Sequence, residues 1–144
     1  MANRYLMGVG TTACKLTVGG TDLTSYCRSI TINQEYAEVD VTGMNSVSVS
    51  NVPGLIDDSW EIEWFQTWDA SAVDATLYPL LGSQTGATFI FQTNGGTVTS
   101  TMPKYTLVGT LYTYQPVQGE VGAVSMTTTT VKPIAGQYTT RGTS

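Results

Sequence analysis

The chain contains no histidine, which removes the commonest general base and metal ligand and, with it, any Ser-His-Asp or Cys-His arrangement. What remains for chemistry is a small set of carboxylates. Glu61 and Glu63 alternate onto one face of a predicted strand, about 7 Å apart, and such a pair is the raw material of general acid and base work. A solvated acidic face explains them more simply. Asp57 and Asp58 beside Ser59 offer oxygen ligands to a hard cation such as calcium, but two adjacent carboxylates without further ligands suit a turn or strand entry better. Gly95-Gly96 fits a hairpin turn, and no phosphate-cradling glycine loop, paired-cysteine motif or dinucleotide fingerprint occurs elsewhere in the sequence. The expectation is a protein with no catalytic residues, no metal and no cofactor.

The aromatic and sulfur side chains can be weighed in the same way. Trp60, Trp64 and Trp68 with Phe65 resemble a stacking platform for bases or sugars, yet the alternation of Trp60 and Trp64 with Ile62 is more simply a buried face. Ile30, Ile32, Trp60, Ile62, Trp64 and Leu77 are the expected core. Tyr105, Tyr112, Tyr114 and Tyr138 crowd the C-terminal half, where some are candidates for contacts between subunits. Cys14 and Cys27 are the only cysteines, and no apolar run near the start reads as a signal peptide or membrane span. A reducing cytoplasm and two buried, inert thiols on adjacent strands are expected, in preference to a disulfide.

The elements that must position these residues are mostly strands. Charged residues are only 12% of the chain, whereas Thr, Ser, Gly and Tyr are abundant, a composition that favours pleated strands and tight turns. The net charge of −5 and the six scattered Lys and Arg residues supply no basic patch for nucleic acid or anionic membrane. Alternation predicts a hairpin over Cys14 to Leu23 turning at Gly19-Gly20, and a strand from Arg28 to about Val41 with Ile30, Ile32 and Gln34 on one face. The strongest pattern runs from Leu55 to Trp68, with Trp60, Ile62, Trp64 and Gln66 opposite Glu61, Glu63 and Phe65. A short helix over 70–82, capped by Asp69 or Ser71 and ended by Gly82, carries Val73 and Leu77, with Pro79 confined to its last turn. Strands from Ala87 to Thr93 and Thr97 to Met102 follow. A long hairpin of Lys104 to Val117 and Glu120 to Lys132 precedes a polar tail from 134 to 144.

Between two well-patterned strands lies the segment from Thr42 to Pro53, without Lys or Arg, which includes the alternation Ser46-Val47-Ser48-Val49-Ser50 before Asn51. A connection this long in a compact domain is usually functional. An extended strand with no partner in its own chain finds one in a neighbouring copy, so Ser46, Val47, Ser48, Val49, Ser50 and Asn51 are the candidate assembly loop. Residues 1–12 show no period and read as a second arm that orders against something else.

The order of N-terminal arm, strand entering a long loop, Val52-Pro53-Gly54-Leu55-Ile56-Asp57-Asp58-Ser59-Trp60, a helix with Leu77-Tyr78-Pro79-Leu80-Leu81, and late Gln115-Pro116-Val117-Gln118-Gly119-Glu120-Val121 resembles the major tail tube proteins of long-tailed bacteriophages. The resemblance covers most of the chain and implies one tail-tube domain over 1–144: arm 1–12, assembly loop 42–54, helix 70–82 and tail 134–144. The implied fold is mostly β, a β-sandwich or incomplete barrel with one short flanking α-helix. Six such subunits would form a ring with a continuous inner β-barrel, and rings would stack into a smooth tube in the virion tail, made in the host bacterial cytoplasm. Partners implied are further copies of the chain and the tail terminator, tape-measure and baseplate proteins, with no membrane. Genome DNA would pass through the lumen without specific binding, repelled by Glu35, Glu38, Asp40, Glu61 and Glu63 if these face it. Two other readings stay open: a head-decoration or head-to-tail connector protein, and a soluble β-sandwich binding module with Trp68, Tyr112 and Tyr114 as its platform.

Overall fold

The computed structural model describes residues 14–93, 95–100 and 102–143; the expected N-terminal arm lies outside them. Eight strands form one open antiparallel sheet: β1 (Lys15–Val18), β2 (Thr21–Asp22), β3 (Cys27–Asp40), β4 (Asn51–Phe65), β5 (Ala87–Gln92), β6 (Lys104–Thr113), β7 (Met126–Pro133) and β8 (Thr140–Gly142). The sheet order is β2-β1-β5-β6-β7-β4-β3, with β8 joined to β6.

This sheet is strongly rolled. Trp60 on β4 and Phe89 on β5 are separated by two intervening strands, a gap of about 14 Å in a flat sheet, yet their rings meet edge to face at a centroid distance of 6.3 Å. The incomplete barrel of the two expected architectures is therefore the one adopted. Its interior holds Leu16, Val18, Trp60, Ile62, Trp64, Phe89, Leu107, Leu111 and Val131, all essentially inaccessible. Ile30 and Ile32 are only partly buried and pack against that cluster from the margin, because β3 is the last strand of the sheet. Each core tryptophan bonds its indole N–H: Trp60 Nε1 donates to Thr139 Oγ1 at 3.0 Å, and Trp64 Nε1 to Thr129 Oγ1 at 2.9 Å. A buried hydroxyl opposite each ring is what lets so large an amphipathic side chain sit at the centre.

The helix is shorter than its spacing predicts. It spans α1 (Val73–Leu77) and tightens into a 3-10 turn over Tyr78–Leu80, since Pro79 has no N–H for a further α-helical bond. Neither Asp69 nor Ser71 caps it: the N-cap is Ala72, with no side-chain bond. Val73 and Leu77 are fully buried, and Gly82 turns the chain away with φ +72°.

Further expectations change. The expected strand over Thr97 to Met102 does not form among the described residues, where the chain loops between β5 and β6. The stretch 120–125 is not strand; a turn over Glu120–Ala123, with Gly122 at φ +84°, ends the long connection from β6 to β7. The supposed tail instead returns as β8 and pairs with β6 at Lys104, Tyr105 and Thr106. Cys14 and Cys27 are free, half-buried thiols, but they precede β1 and begin β3, strands far apart in the sheet order. Burial, then the neighbouring Cys14, pushes the Cys27 thiol up to about 11, which leaves it an inert protonated packing group at neutral pH.

Candidate assembly interface

β3 and β4 form one long hairpin that runs from the core out into solvent. Near the body, Ile30 pairs with Ile62, Ile32 with Trp60, and Gln34 with Asp58; there β4 also pairs with β7. Beyond Tyr36 and Ile56 the hairpin has only itself, and nearly every residue of both strands is exposed. A two-stranded ribbon in water is marginal by itself.

The candidate assembly residues lie at its tip, with a geometry the alternation did not anticipate. Ser46, Val47, Ser48, Val49 and Ser50 are not an extended strand awaiting a partner; they belong to the turn between β3 and β4, and Asn51 is the first ladder residue, opposite Asp40. Local hydroxyls hold this turn. Thr42 Oγ1 accepts the Ser50 N–H at 2.8 Å, Ser46 Oγ accepts the Gly43 N–H at 3.1 Å, and the Val41 N–H reaches the Ser50 carbonyl at 2.8 Å. Short hydroxyl side chains compete with ladder bonds in just this way. Asp40 accepts the Thr42 N–H at 2.8 Å, and the bonds from the Thr42 hydroxyl and N–H hold its carboxyl below the usual range.

A β-bulge breaks the hairpin register between Tyr36 opposite Ile56 and Glu38 opposite Pro53. The extra residue is on β4, at Gly54-Leu55. A Cβ on Gly54 would lie 2.9 Å from Val39 Cγ2 and 3.2 Å from the Ala37 carbonyl oxygen, so any side chain there forces Val39 and the β3 backbone to give. Pro53 is tolerated beside it because β4 has a neighbour on one side only at that level.

The five acidic lumen candidates do not share one face. Thr31 opposite Glu61, Ser29 opposite Glu63 and Glu35 opposite Asp57 form a hydroxyl and carboxylate surface on the outside of the sheet. It continues onto β7 through Thr130 and Thr128. Alternation along β3 sends Glu38 and Asp40 to the other face, that of Tyr36. Glu63 is also partly neutralised, by Arg28 at 2.8 Å, and Asp57 faces Lys132 at 3.6 Å. Glu63 is thus engaged by Arg28, whereas Glu61 has no ion pair among the described residues. Asp58 is buried at 1% exposure; its Oδ2 accepts the Thr139 N–H, and its Oδ1 is buried without a hydrogen-bond partner among the described residues. Among the described residues no group of three or more His, Cys, Asp or Glu could hold a metal ion, and no helix is long and apolar enough to cross a membrane.

The tyrosine platform loses a member. Tyr114 is 7% exposed; its hydroxyl donates to Asp74 Oδ1 at 2.8 Å and accepts from Gln66 Nε2 at 2.8 Å. Trp68 and Tyr112 remain exposed. Sequence reasoning missed this network, and it also missed the clamp on Thr139. Asp58 accepts from its N–H, Trp60 donates to its hydroxyl, and Gln34 donates to its carbonyl at 2.9 Å. These partners lie at least 79 residues away along the chain, beyond the reach of any local pattern.

No protein-family model matches the chain, and no curated protein matches it in sequence. Solved structures do match its fold. A chain in the virion of a native gene transfer agent particle aligns with a TM-score of 0.61 at 13% identity, over 90% of this chain and 95% of that one. A chain in the tail of the empty gene transfer agent particle, refined helically with C6 symmetry, gives 0.58 at 15% identity over the same shares. One in the six-fold symmetrised baseplate of the anti-feeding prophage gives 0.56 at 11% identity over 97% of both chains. The rolled sheet with its flanking helix is thus a fold found in phage-like tail and baseplate structures.

Proposed function

We propose that this chain is the structural subunit of a phage-like tail tube, polymerising as stacked rings, six subunits to a ring, into a conduit for genome delivery. The observation that carries the reading is the β3–β4 hairpin: an exposed, charge-free tip of valines and hydroxyl residues held out in solvent by a body whose fold recurs in a six-fold tail structure. A monomer gains nothing from such an extension, whereas a polymer buries it. The outer edge of β3 has no strand partner among the described residues. It carries neither Lys nor Pro beyond Arg28 to discourage pairing. Joining that edge to the next subunit around a ring completes a continuous inner barrel. Low overall charge suits large buried contacts between copies, and no role in this reading is catalytic. The location is the virion tail, with tail terminator, tape-measure and baseplate proteins at the ends of the tube.

A second reading has a specific support. The likeness to a chain in a baseplate is as complete in coverage as the likeness to tail chains, and a subunit that forms one ring at the end of a tube, as a connector does, would have the same fold. Electron microscopy of the purified full-length protein across a concentration series separates the two. Hollow tubes of uniform diameter are expected. Single rings that never stack would favour the connector, and a persistent monomer would overturn both.

A further inference from the structure

We propose that Cys14 and Cys27 form a redox pair: a small-molecule disulfide oxidant joins them into a bond that staples the two edges of the rolled sheet, and a thiol reductant releases it. They are the only cysteines of the chain. In sheet order they stand at opposite ends. Cys14 precedes β1, whose outer neighbour is the edge strand β2, and Cys27 opens β3, the edge strand on the far side. The connection from β2 to β3 brings those ends together at one corner.

β1 and β2 pair at Val18 with Thr21 and at Thr17 with Asp22. The same run continues with the Leu23 N–H on the Leu16 carbonyl at 3.0 Å and the Leu16 N–H on Thr24 Oγ1 at 2.9 Å. Cys14 lies two residues before Leu16, about 7 Å of extended chain. Cys27 follows the 3-10 turn Thr24–Tyr26, a rise of about 6 Å from Thr24. Both side chains are half-buried and pack on the same core cluster. A disulfide needs the two Cα atoms within about 7 Å, and the ladder beside Cys27 is built to give. Its register shifts between Cys27 opposite Trp64 and Ser29 opposite Glu63, leaving Arg28 as the extra residue of a bulge. The reduced state is satisfied too, with Cys27 Sγ donating to the Ser29 carbonyl at 3.5 Å.

The chemistry is two successive exchanges with oxidised glutathione. The Cys14 thiolate attacks one sulfur of the oxidant, forming a mixed disulfide and releasing one glutathione thiolate. The Cys27 thiolate then attacks the Cys14 sulfur, forming the protein disulfide and releasing the second. The two thiol protons pass to the departing thiolates, so the chain loses two hydrogens and the oxidant is reduced to two thiols. Environment sets the order. Burial, then Cys14, pushes the Cys27 thiol up to about 11, so Cys27 is seldom ionised and does not meet the oxidant first. Its rare thiolate is the stronger nucleophile and has only a neighbour to reach. On the tube reading, the pair stays reduced in the cytoplasm and closes in the released particle; the pairing itself does not depend on that reading.

The test uses the full-length protein purified under reductant, transferred into oxidised glutathione at mildly alkaline pH, alkylated and weighed intact, with non-reducing peptide mapping. A monomer lighter by two hydrogens, with a peptide linking Cys14 to Cys27 and no alkylation, is expected. Its melting temperature should exceed that of the reduced chain by roughly 5 to 10 °C and return on reduction. Stable glutathione adducts on both cysteines, disulfide-linked dimers or two alkylated thiols would each overturn the proposal, and none of these outcomes bears on whether tubes form. Cys14→Ser and Cys27→Ser should each stop at a mixed disulfide or a free thiol and show no gain in melting temperature under the oxidant. The same gain in either variant would show that the bond is not the staple.

Discussion

Gln66 and Tyr114 meet at 2.8 Å, amide nitrogen to phenolic oxygen, across the gap between the end of β4 and the end of β6. The same phenol donates to Asp74 at the start of the helix, so one buried hydroxyl joins three separate elements. Burial pushes the Tyr114 phenol up to about 12; the Gln66 donor opposes that shift, and the Asp74 carboxylate adds to it. The folded chain then holds this proton more tightly than the unfolded chain, whose tyrosines titrate near 10. The stabilisation is complete below about pH 10 and is lost as pH rises towards 12. Tyr114→Phe should cost about 1 to 3 kcal/mol at neutral pH. Urea midpoints of wild type and variant should converge between pH 10 and 12, and a constant difference would show that the hydroxyl is not the titrating link.

Trp60 is the centre of the core, and Thr139 is the residue that lets it be there. Trp60→Ala should cost about 3 to 5 kcal/mol through the cavity it leaves. Thr139→Val keeps the volume but removes the acceptor, leaving the indole N–H buried and unpaired at a cost of about 1 to 3 kcal/mol. Chemical denaturation measures both. A near-neutral Thr139→Val would mean that the C-terminal segment is not held through this bond, and amide exchange of β8 would then be unaffected by the substitution.

The core strands were legible in the sequence because their alternation is strong: Trp60, Ile62 and Trp64 are buried, and Glu61 is exposed. Ile30 and Ile32 showed the same pattern, but alternation cannot reveal that β3 is an edge, which is why both are only partly buried. The Val/Ser run at 46–50 misled because hydroxyl side chains satisfy a turn as readily as they line a strand, and Thr42 and Ser46 do so here. β8 was illegible for a different reason. Its short ladder of three residues is stabilised by Asp58, Trp60 and Gln34, whose proximity exists only after the sheet has rolled. The charge-free extent of the hairpin was visible at once, but its direction of projection was not.

The hairpin beyond the bulge should be dispensable for folding and required for assembly. Replacing residues 41–50 by a two-residue Asn-Gly turn keeps Asp40 opposite Asn51 and suits a tight hairpin. Because the removed residues are exposed, the unfolding free energy should change by less than about 0.5 kcal/mol. Polymerisation, followed by light scattering and microscopy, should be abolished. A variant that fails to fold would place the turn within the cooperative unit of the body. Gly54→Ala offers a finer probe, since its methyl meets Val39 and the Ala37 carbonyl. It should slow assembly and accelerate amide exchange in the distal hairpin, leaving the core strands protected.

Glu61 and Glu63 lie on the same outer face, but their charges are not equivalent. Glu63 is paired with Arg28 at 2.8 Å, with the Arg28 side chain exposed and that of Glu63 partly so, so the pair contributes at most about 1 kcal/mol to folding while cancelling its own field. Glu61 has no ion pair among the described residues. If this face lines a lumen, Glu61 dominates repulsion of a passing polyanion, and Glu61→Lys is the more damaging reversal. Tubes of Glu61→Lys should assemble normally yet retain added double-stranded DNA in sedimentation, with retention falling steeply as salt rises. Glu63→Gln frees Arg28 and should cause weaker retention of the same sign. Assembled Glu61→Lys tubes that bind no more DNA than wild type at low salt would remove this face from the lumen and turn attention to Glu38 and Asp40 on the opposite side of β3.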